Sequence, residues 1–531
     1  MPRVAPGLAP APPAAPAAQP SAATHAIRDV AVTGMTAYPV EEIAPLTDGL
    51  AGASVPQSAI EAARSAIVRR YRQDGFVYTV VNATIADGHL RFAVTEGRVA
   101  EVKLDGDIGP AATQVLRFLN HLTEVRPIDI ATLERWLLLA SDVPGVSVQS
   151  TLNPSSGEPG ALTLIATVSR RAVSGLAVID NRGFPQAGPE EALGVVDFNS
   201  FSEFGEKTEL SLYQAFNNGS QTFGQGSVEA FIGGSGLKLR VYGGAGPTNP
   251  SGNLQAIGYQ GQTLVFGGAL SYPVIRARQQ TLNVAAAFDA LQSDISTTAT
   301  GVRVRNSYDS LRVLRFGAEY AFLDLLLGPA MTGTTGATVR VSQGLTGLGA
   351  TANGYALAPR TGENVGFTKV TGEINRTQTL FQPWDGASVA LQGILAGQYS
   401  GDILPPAEKF YLGGLRLNRG YYYGQVSGDS ALSASVELQL NTALPLPVSL
   451  PADVSAQFYA FYDWGETWEN LPVDPNRQLT SVGGGVRTFV TRNVEVDLEG
   501  TVRLNRYPNG SGPGVSALNG GAFYWRVLTR F

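Results

Sequence analysis

Residues 494–504 read VEVDLEGTVRL, and that alternation constrains the fold more than any other stretch. Val494, Val496, Leu498, Val502 and Leu504 fall on one face of an extended chain, and Glu495, Asp497, Glu499 and Arg503 on the other. Successive side chains of a strand point to opposite sides, so this segment is built for a sheet with one apolar and one polar face. The pattern recurs from Val173 to the C-terminus. Leu237, Leu239 and Val241 oppose Lys238 and Arg240, and Val339 and Val341 oppose Arg340 and Ser342. Helix-period segments are missing from this region, so nothing is offered to cover a soluble sheet.

Two solutions remain: a half-buried soluble sheet, or a closed barrel greasy outside and polar within. Charged residues make up 15% of the chain, below the roughly 25% of average soluble proteins, and there are 62 glycines. No run approaches the roughly 18 apolar residues of a spanning helix. A chain that crosses a membrane without such helices must close its sheet, because every backbone group has to be paired there. The last segment places Phe523, Trp525, Val527 and Phe531 on one face and Tyr524, Arg526 and Arg530 on the other, and such aromatic ends suit interfacial girdles. At roughly 22 residues per strand and turn, Val173 to Phe531 predicts about 16 strands.

The first part of the chain reads differently. Residues 1–26 are mostly Pro and Ala and are read as a disordered, semi-extended leader. They lack a basic start followed by an apolar core, so no signal peptide is recognised in them. Ile27–Thr33 predicts a strand, Val40–Gly49 a short helix and Pro56–Asp74 a longer one, with Ile60, Ala63, Ile67, Val68 and Tyr71 at helical spacing. Phe76–Ile85 and Leu90–Thr95 predict a hairpin around Asp87-Gly88. The order then repeats: strand Val99–Leu104, helices Ala111–His121 and Ile130–Ala140, strands Val146–Leu152 and Ala161–Val168. Two copies of about 70 residues form an internal repeat. The pattern resembles the POTRA domain, a periplasmic docking module. The expected division is 27–97 and 98–171 for the two modules and 172–531 for the barrel.

Gly413–Gly424 reads GGLRLNRGYYYG, within a turn-rich stretch of about 400–430 between two alternating segments. After it, Ala434, Val436, Leu438 and Leu440 share one face, and Ser435, Glu437 and Gln439 the other. Tyr459–Gly465 reads YAFYDWG. Phe458, Ala460, Tyr462 and Trp464 form a wholly apolar or aromatic face expected to meet lipid, which sends Asp463 inward with Tyr459 and Phe461. An inward carboxylate suits the guanidinium fork of Arg419, although a loop arginine taken alone reads as solvated. Gly420 lets the loop tip pass close to the wall, and Gly465 leaves space beside it.

Two modules, then a barrel carrying Arg419-Gly420-Tyr421 and later Phe461-x-Asp463-x-Gly465, resemble the outer-membrane transporters of two-partner secretion. These are the TpsB proteins, the haemolysin secretion/activation family ShlB/FhaC/HecB. Val173–Gly183 (VSGLAVIDNRG) is similar to the family's Asp-Asn-x-Gly opening strand, and Phe531 resembles its terminal signal for barrel assembly. The resemblance implies a Gram-negative outer-membrane pore with its modules in the periplasm. It implies a lid loop folded into the lumen with Arg419 against Asp463. It also implies partners: a secreted exoprotein held by the modules, membrane lipid, and the barrel-assembly machinery during biogenesis. Strand addition at Phe76–Ile85 or Val146–Leu152 is the expected mode of exoprotein capture. The Pro/Ala-rich residues 1–26 cannot form the plug helix that some members carry.

Other functions fit less well. A barrel-assembly insertase of the same superfamily shares the arginine loop but usually carries more modules. A barrel enzyme generally needs a histidine base, and His25, His89 and His121 all precede the barrel. A diffusion porin leaves the modules unexplained. The chain has no cysteine, which excludes thiolate chemistry and disulfides. No Walker A loop occurs, and a net charge of −6 does not point to nucleic acid. Glu495, Asp497 and Glu499 read as lumen lining rather than a metal site, Gly233, Gly234 and Gly236 as a hairpin turn, and His89 and His121 as surface residues. No cofactor is expected.

Overall fold

The computed structural model describes residues 23–155, 157–299, 301–444, 454–510 and 515–531. The first module is a three-stranded sheet with His89–Thr95 in the middle, parallel to Asp29–Thr33 and antiparallel to Val80–Ala86. Asp87 and Gly88 both take positive φ, 50° and 81°, as the tight hairpin turn requires. Helix Gln57–Gln73 buries Ile60, Ala63, Ile67 and Tyr71 against this sheet's apolar core.

Three expectations change here. The predicted helix Val40–Gly49 is one α turn, Val40–Ile43, followed by a 3-10 turn, Ala44–Thr47, whose Pro45 removes a backbone donor. The predicted strand Phe76–Ile85 begins only at Val80, because Gly75 (φ 91°) turns the chain and the Phe76 N–H is spent on the Tyr71 carbonyl at 2.9 Å. Finally, Thr24–Ile27 is a strand paired with Gly52–Pro56, so residues 24–26 belong to folded structure rather than to the leader. The remainder of the leader, residues 1–22, lies outside the described residues.

Glu96 ties this module together. Its carboxylate accepts from the Thr36 and Ala37 amides, both at 2.9 Å, and from the Tyr71 hydroxyl at 2.7 Å. Burial pushes the carboxyl up, but the bonds from Thr36, Ala37 and Tyr71 outweigh it and hold it below the usual carboxylate range. A lowered folded value means that the stabilisation is complete above the unfolded value of about 4.3 and is lost as pH falls through the folded one. Glu96→Gln is therefore expected to destabilise the module by ~1–3 kcal/mol at neutral pH. Hydrogen exchange over residues 29–95 should show the difference shrinking in acid. An equal difference at pH 3 and pH 7 would refute this.

The second module repeats the order. Ala161–Arg170 is central, parallel to Arg98–Asp105 and antiparallel to Val146–Pro154. Helices Ala111–Glu124 and Ile130–Ser141 cover the sheet, the latter capped by Asp129, which accepts from the Thr132 amide at 2.8 Å.

From Val173 onward the chain closes into an antiparallel barrel of 16 strands. Its first strand, Val173–Asp180, pairs with Glu190–Asn199 on one side and with the last, Gly521–Arg530, on the other. That closing seam pairs only Leu176–Asp180 with Arg526–Arg530. Beside it, Phe531 exchanges two backbone hydrogen bonds with Gly175, at 3.0 and 3.1 Å. The alternation sorts as the sequence requires: Glu495, Asp497, Glu499 and Arg503 are buried in the lumen, while Leu498, Val502, Phe523 and Val527 face outward.

The second module is braced against one barrel rim. Phe231, at the end of barrel strand Ser220–Phe231, enters the module's apolar core edge-on to Phe118, with ring centroids 5.1 Å apart. Gln114 donates to the Gly233 carbonyl at 2.9 Å. His121 stacks on Trp136 and lies 3.2 Å from the Gly234 carbonyl, so it is a junction residue rather than an ordinary surface one. Arg276 forks onto Asp142 with two contacts of 2.8 Å. The glycine turn around Gly233 and Gly236 is the hairpin expected between Ser220–Phe231 and Lys238–Asn249. His89 is exposed and lies 2.7 Å from Asp29.

Candidate functional site: a lid loop locked inside the barrel

The loop between barrel strands Ser388–Ser400 and Ser430–Leu444 leaves from the rim opposite the modules and turns into the lumen. A small hairpin, Phe410–Leu412 paired with Val426–Gly428, stiffens its stem. Gly413 and Gly414 (φ 101° and 123°) then let the tip fold back, and Asn418 takes a left-handed φ of 55° just before Arg419.

Arg419 meets Asp463. The Asp463 carboxylate accepts from Arg419 Nη2 at 2.9 Å, Nε at 3.0 Å and the backbone amide at 2.8 Å. Glu437 pairs with Nη1, Ser435 Oγ accepts from Nη2 at 3.0 Å, and the guanidinium lies 3.6 Å over the Phe461 ring. Arg419 and Asp463 are 4% and 0% exposed, so both charges depend on each other and on these neighbours.

The flanking motif residues explain the fit. Gly420 donates to Ser481 Oγ at 3.2 Å, and its carbonyl accepts from Arg503 and from the Tyr524 hydroxyl. A Cβ on Gly420 would stand 2.5 Å from Ser481 Cβ. Tyr421 is fully buried, its hydroxyl 2.7 Å from the Asn505 carbonyl and 2.9 Å from that of Thr480. A Cβ on Gly465 would meet Asn418 Oδ1 at 2.5 Å. Gly465→Ala is thus expected to push Asn418 and the tip off the wall at a cost of about 1–3 kcal/mol. Faster thiol labelling of a cysteine placed at Leu415 would report it. Unchanged labelling would mean the wall yields instead.

Several contributors escaped sequence reasoning. Glu437 was legible only as one of three polar residues on an inward face. Arg182 stands in the stretch Asp180–Gly183, yet nothing local shows that it crosses the lumen. It donates to the Arg419 carbonyl, pairs with Glu499 at 2.7 Å and covers the Tyr524 ring at 3.8 Å. Arg487 pairs with Glu437 at 2.7 Å over the Tyr459 ring. The acidic row is spent on arginines: Glu495 on Arg526 and Arg530, Asp497 on Arg526, and Glu499 on Arg182. Among the described residues no group of three acidic or histidine side chains could hold a metal.

A closed 16-stranded barrel, a buried inward lid and an α+β module braced at one rim together define an outer-membrane barrel transporter of the POTRA-bearing type. The chain belongs to the family described as haemolysin secretion/activation protein ShlB/FhaC/HecB, matched over residues 165–488. Residues 25–97 match the ShlB-type POTRA domain. Among solved structures, CdiB from Escherichia coli aligns at 18% identity with a TM-score of 0.73, covering 96% of this chain and 91% of that one. CdiB from Acinetobacter baumannii aligns at 14% and 0.64, covering 96% and 90%. BamA from Haemophilus ducreyi lacking POTRA domains 1–3 aligns at 13% and 0.50, covering 96% and 100%. A search of the curated proteins finds no match. The protein is accordingly an outer-membrane transporter, not an enzyme, with its POTRA end in the periplasm and its lid entering from the cell-surface rim.

Proposed function

We propose that this transporter exports a specific unfolded exoprotein, captured by its two periplasmic modules and passed through the barrel without nucleotide. The observation that carries this reading is the lid. A lumen spanned by a loop on buried, mutually dependent charges is built to be occupied or cleared, not to stay an open diffusion pore.

Capture by strand addition has suitable surfaces. Val80–Ala86 and Val146–Pro154 are outer strands of their sheets, so an extended client segment can pair with their backbones. The sequence offers no Walker A loop, and client folding outside the cell supplies the drive. Arg419, Gly420 and Tyr421, with Phe461, Asp463 and Gly465, set the lid's resting position.

A trapping experiment tests the reading. A client fused to a tightly folding domain should jam in the barrel and co-purify with it. Recovery of stalled barrel precursors in place of exoprotein would assign the chain to barrel assembly instead. Ion conductance with no secretion defect on deletion would assign it to diffusion.

A further inference from the structure

The lumen is not evenly filled. On the side of Asp463 it is more tightly filled: Arg419 lies against Phe461, Arg487 against Tyr459 and Arg182 against Tyr524, each with a carboxylate partner, and the cavity left beside the tip, lined by Gln439 and Gln457, is only about 320 Å³. On the opposite side a cavity of about 840 Å³ runs between the lid and the second module. Ala285, Ala287, Gly317 and Ala396 keep that wall low. Lys238, Arg240 and Arg340 with Glu229, Glu319 and Glu373 line it with both signs of charge. Phe410 and Leu417 of the lid roof it, and Leu139 and Asp142 of the module reach its floor.

The roof has its own fastening, of reversed polarity. Glu408, in the short 3-10 turn Pro406–Glu408 of the lid, is 2% exposed. Its carboxylate accepts from Arg315 at 2.6 and 3.1 Å and lies 2.8 Å from Lys369. Its carbonyl accepts from Lys369 at 2.6 Å and Gln398 at 3.1 Å. Arg315 also lines the cavity, and it keeps Asp289 as a second partner. So the lid offers a cation to acidic wall strands at its tip and an anion to basic ones at its shoulder.

We propose that the exported chain passes as an extended segment through this cavity, and that Glu408 is the latch that opens its roof while the Arg419 tip stays seated. The proposal rests on the export reading above. Arg419, Gly420 and Tyr421 are bonded to Asp463, Glu437, Ser481 and Thr480, none of which lines the larger cavity, so a chain passing there need not displace them. At the shoulder, a client carboxylate can take the place of Glu408 on Arg315 and Lys369, and both cations then remain paired. Walls of mixed charge with small side chains tolerate a varied sequence, which suits an unfolded client.

The native chain has no cysteine, so single cysteines report cleanly. Cysteines at Glu319 or Arg340 probe the cavity, and at Gln439 or Gln457 the tip side. A client jammed by a folded domain, carrying its own cysteine, should crosslink to the first pair on the order of tenfold more than to the second. Equal or reversed yields would overturn the path. The latch is tested without client. Glu408→Gln should raise the open fraction in planar bilayers on the order of tenfold, the loss expected from one charge-assisted bond. A cysteine at Leu415 should stay as slow to label as in the parent. Unchanged gating in that variant would overturn the latch. Altered gating with no client crosslink at any of the four positions would overturn the export reading instead.

Discussion

Replacing Arg419 with alanine will sharply reduce appearance of the exoprotein outside the cell while the barrel still folds and inserts. The substitution removes a guanidinium that satisfies Asp463 and Glu437 at once and leaves both carboxylates without that partner in the lumen wall. Breaking a buried pair from one side costs ~3–5 kcal/mol, because the remaining charge stays desolvated. That cost falls on lid seating, since no barrel ladder bond passes through Arg419. Heat-modifiable migration should therefore persist while export falls tenfold or more. Asp463→Ala should resemble it, and the double variant should be no worse than either, since the two act through one contact. Additive losses, or normal export from both single variants, would show that the tip contact does not govern the resting lid.

The second large effect is expected at Phe231. This barrel residue is 3% exposed because it is buried in the core of the second module, against Phe118. Phe231→Ala removes the apolar part of the junction, with a cost of ~3–5 kcal/mol for a buried aromatic cut to alanine. The Arg276–Asp142 fork is partly solvated and contributes much less. The module should then swing from the barrel mouth. Hydrogen exchange in Ala111–Glu124 should rise and a protease site should open near residues 171–173, while barrel strands keep their protection. Unchanged exchange in that helix would place the junction's strength in the polar contacts.

The element order was readable because periodicity is local. Val494–Leu504 announces a strand with a wet and a greasy face, and Gln57–Gln73 announces a helix by its apolar spacing. The misses were local too, at Pro45, which converts a helix to a 3-10 turn, and at Gly75, which delays a strand by four residues. Thr24–Ile27 was hidden because its pairing partner, Gly52–Pro56, lies beyond the next helix and has no alternation of its own.

What the sequence by itself determined was parity. With a side-chain period of two, knowing that Phe458 and Tyr462 face lipid is enough to send Asp463 inward, and Arg419 on a glycine-flanked loop was then its natural partner. What only the tertiary structure decided was company. Glu437, Arg182 and Arg487 reach the lid tip, and Arg315 and Lys369 reach Glu408 at its shoulder, through closure of the barrel, which brings strands far apart in sequence around one lumen. Coulombic pairing across such a space leaves no periodic trace along the chain, so it becomes visible only when the sheet is closed.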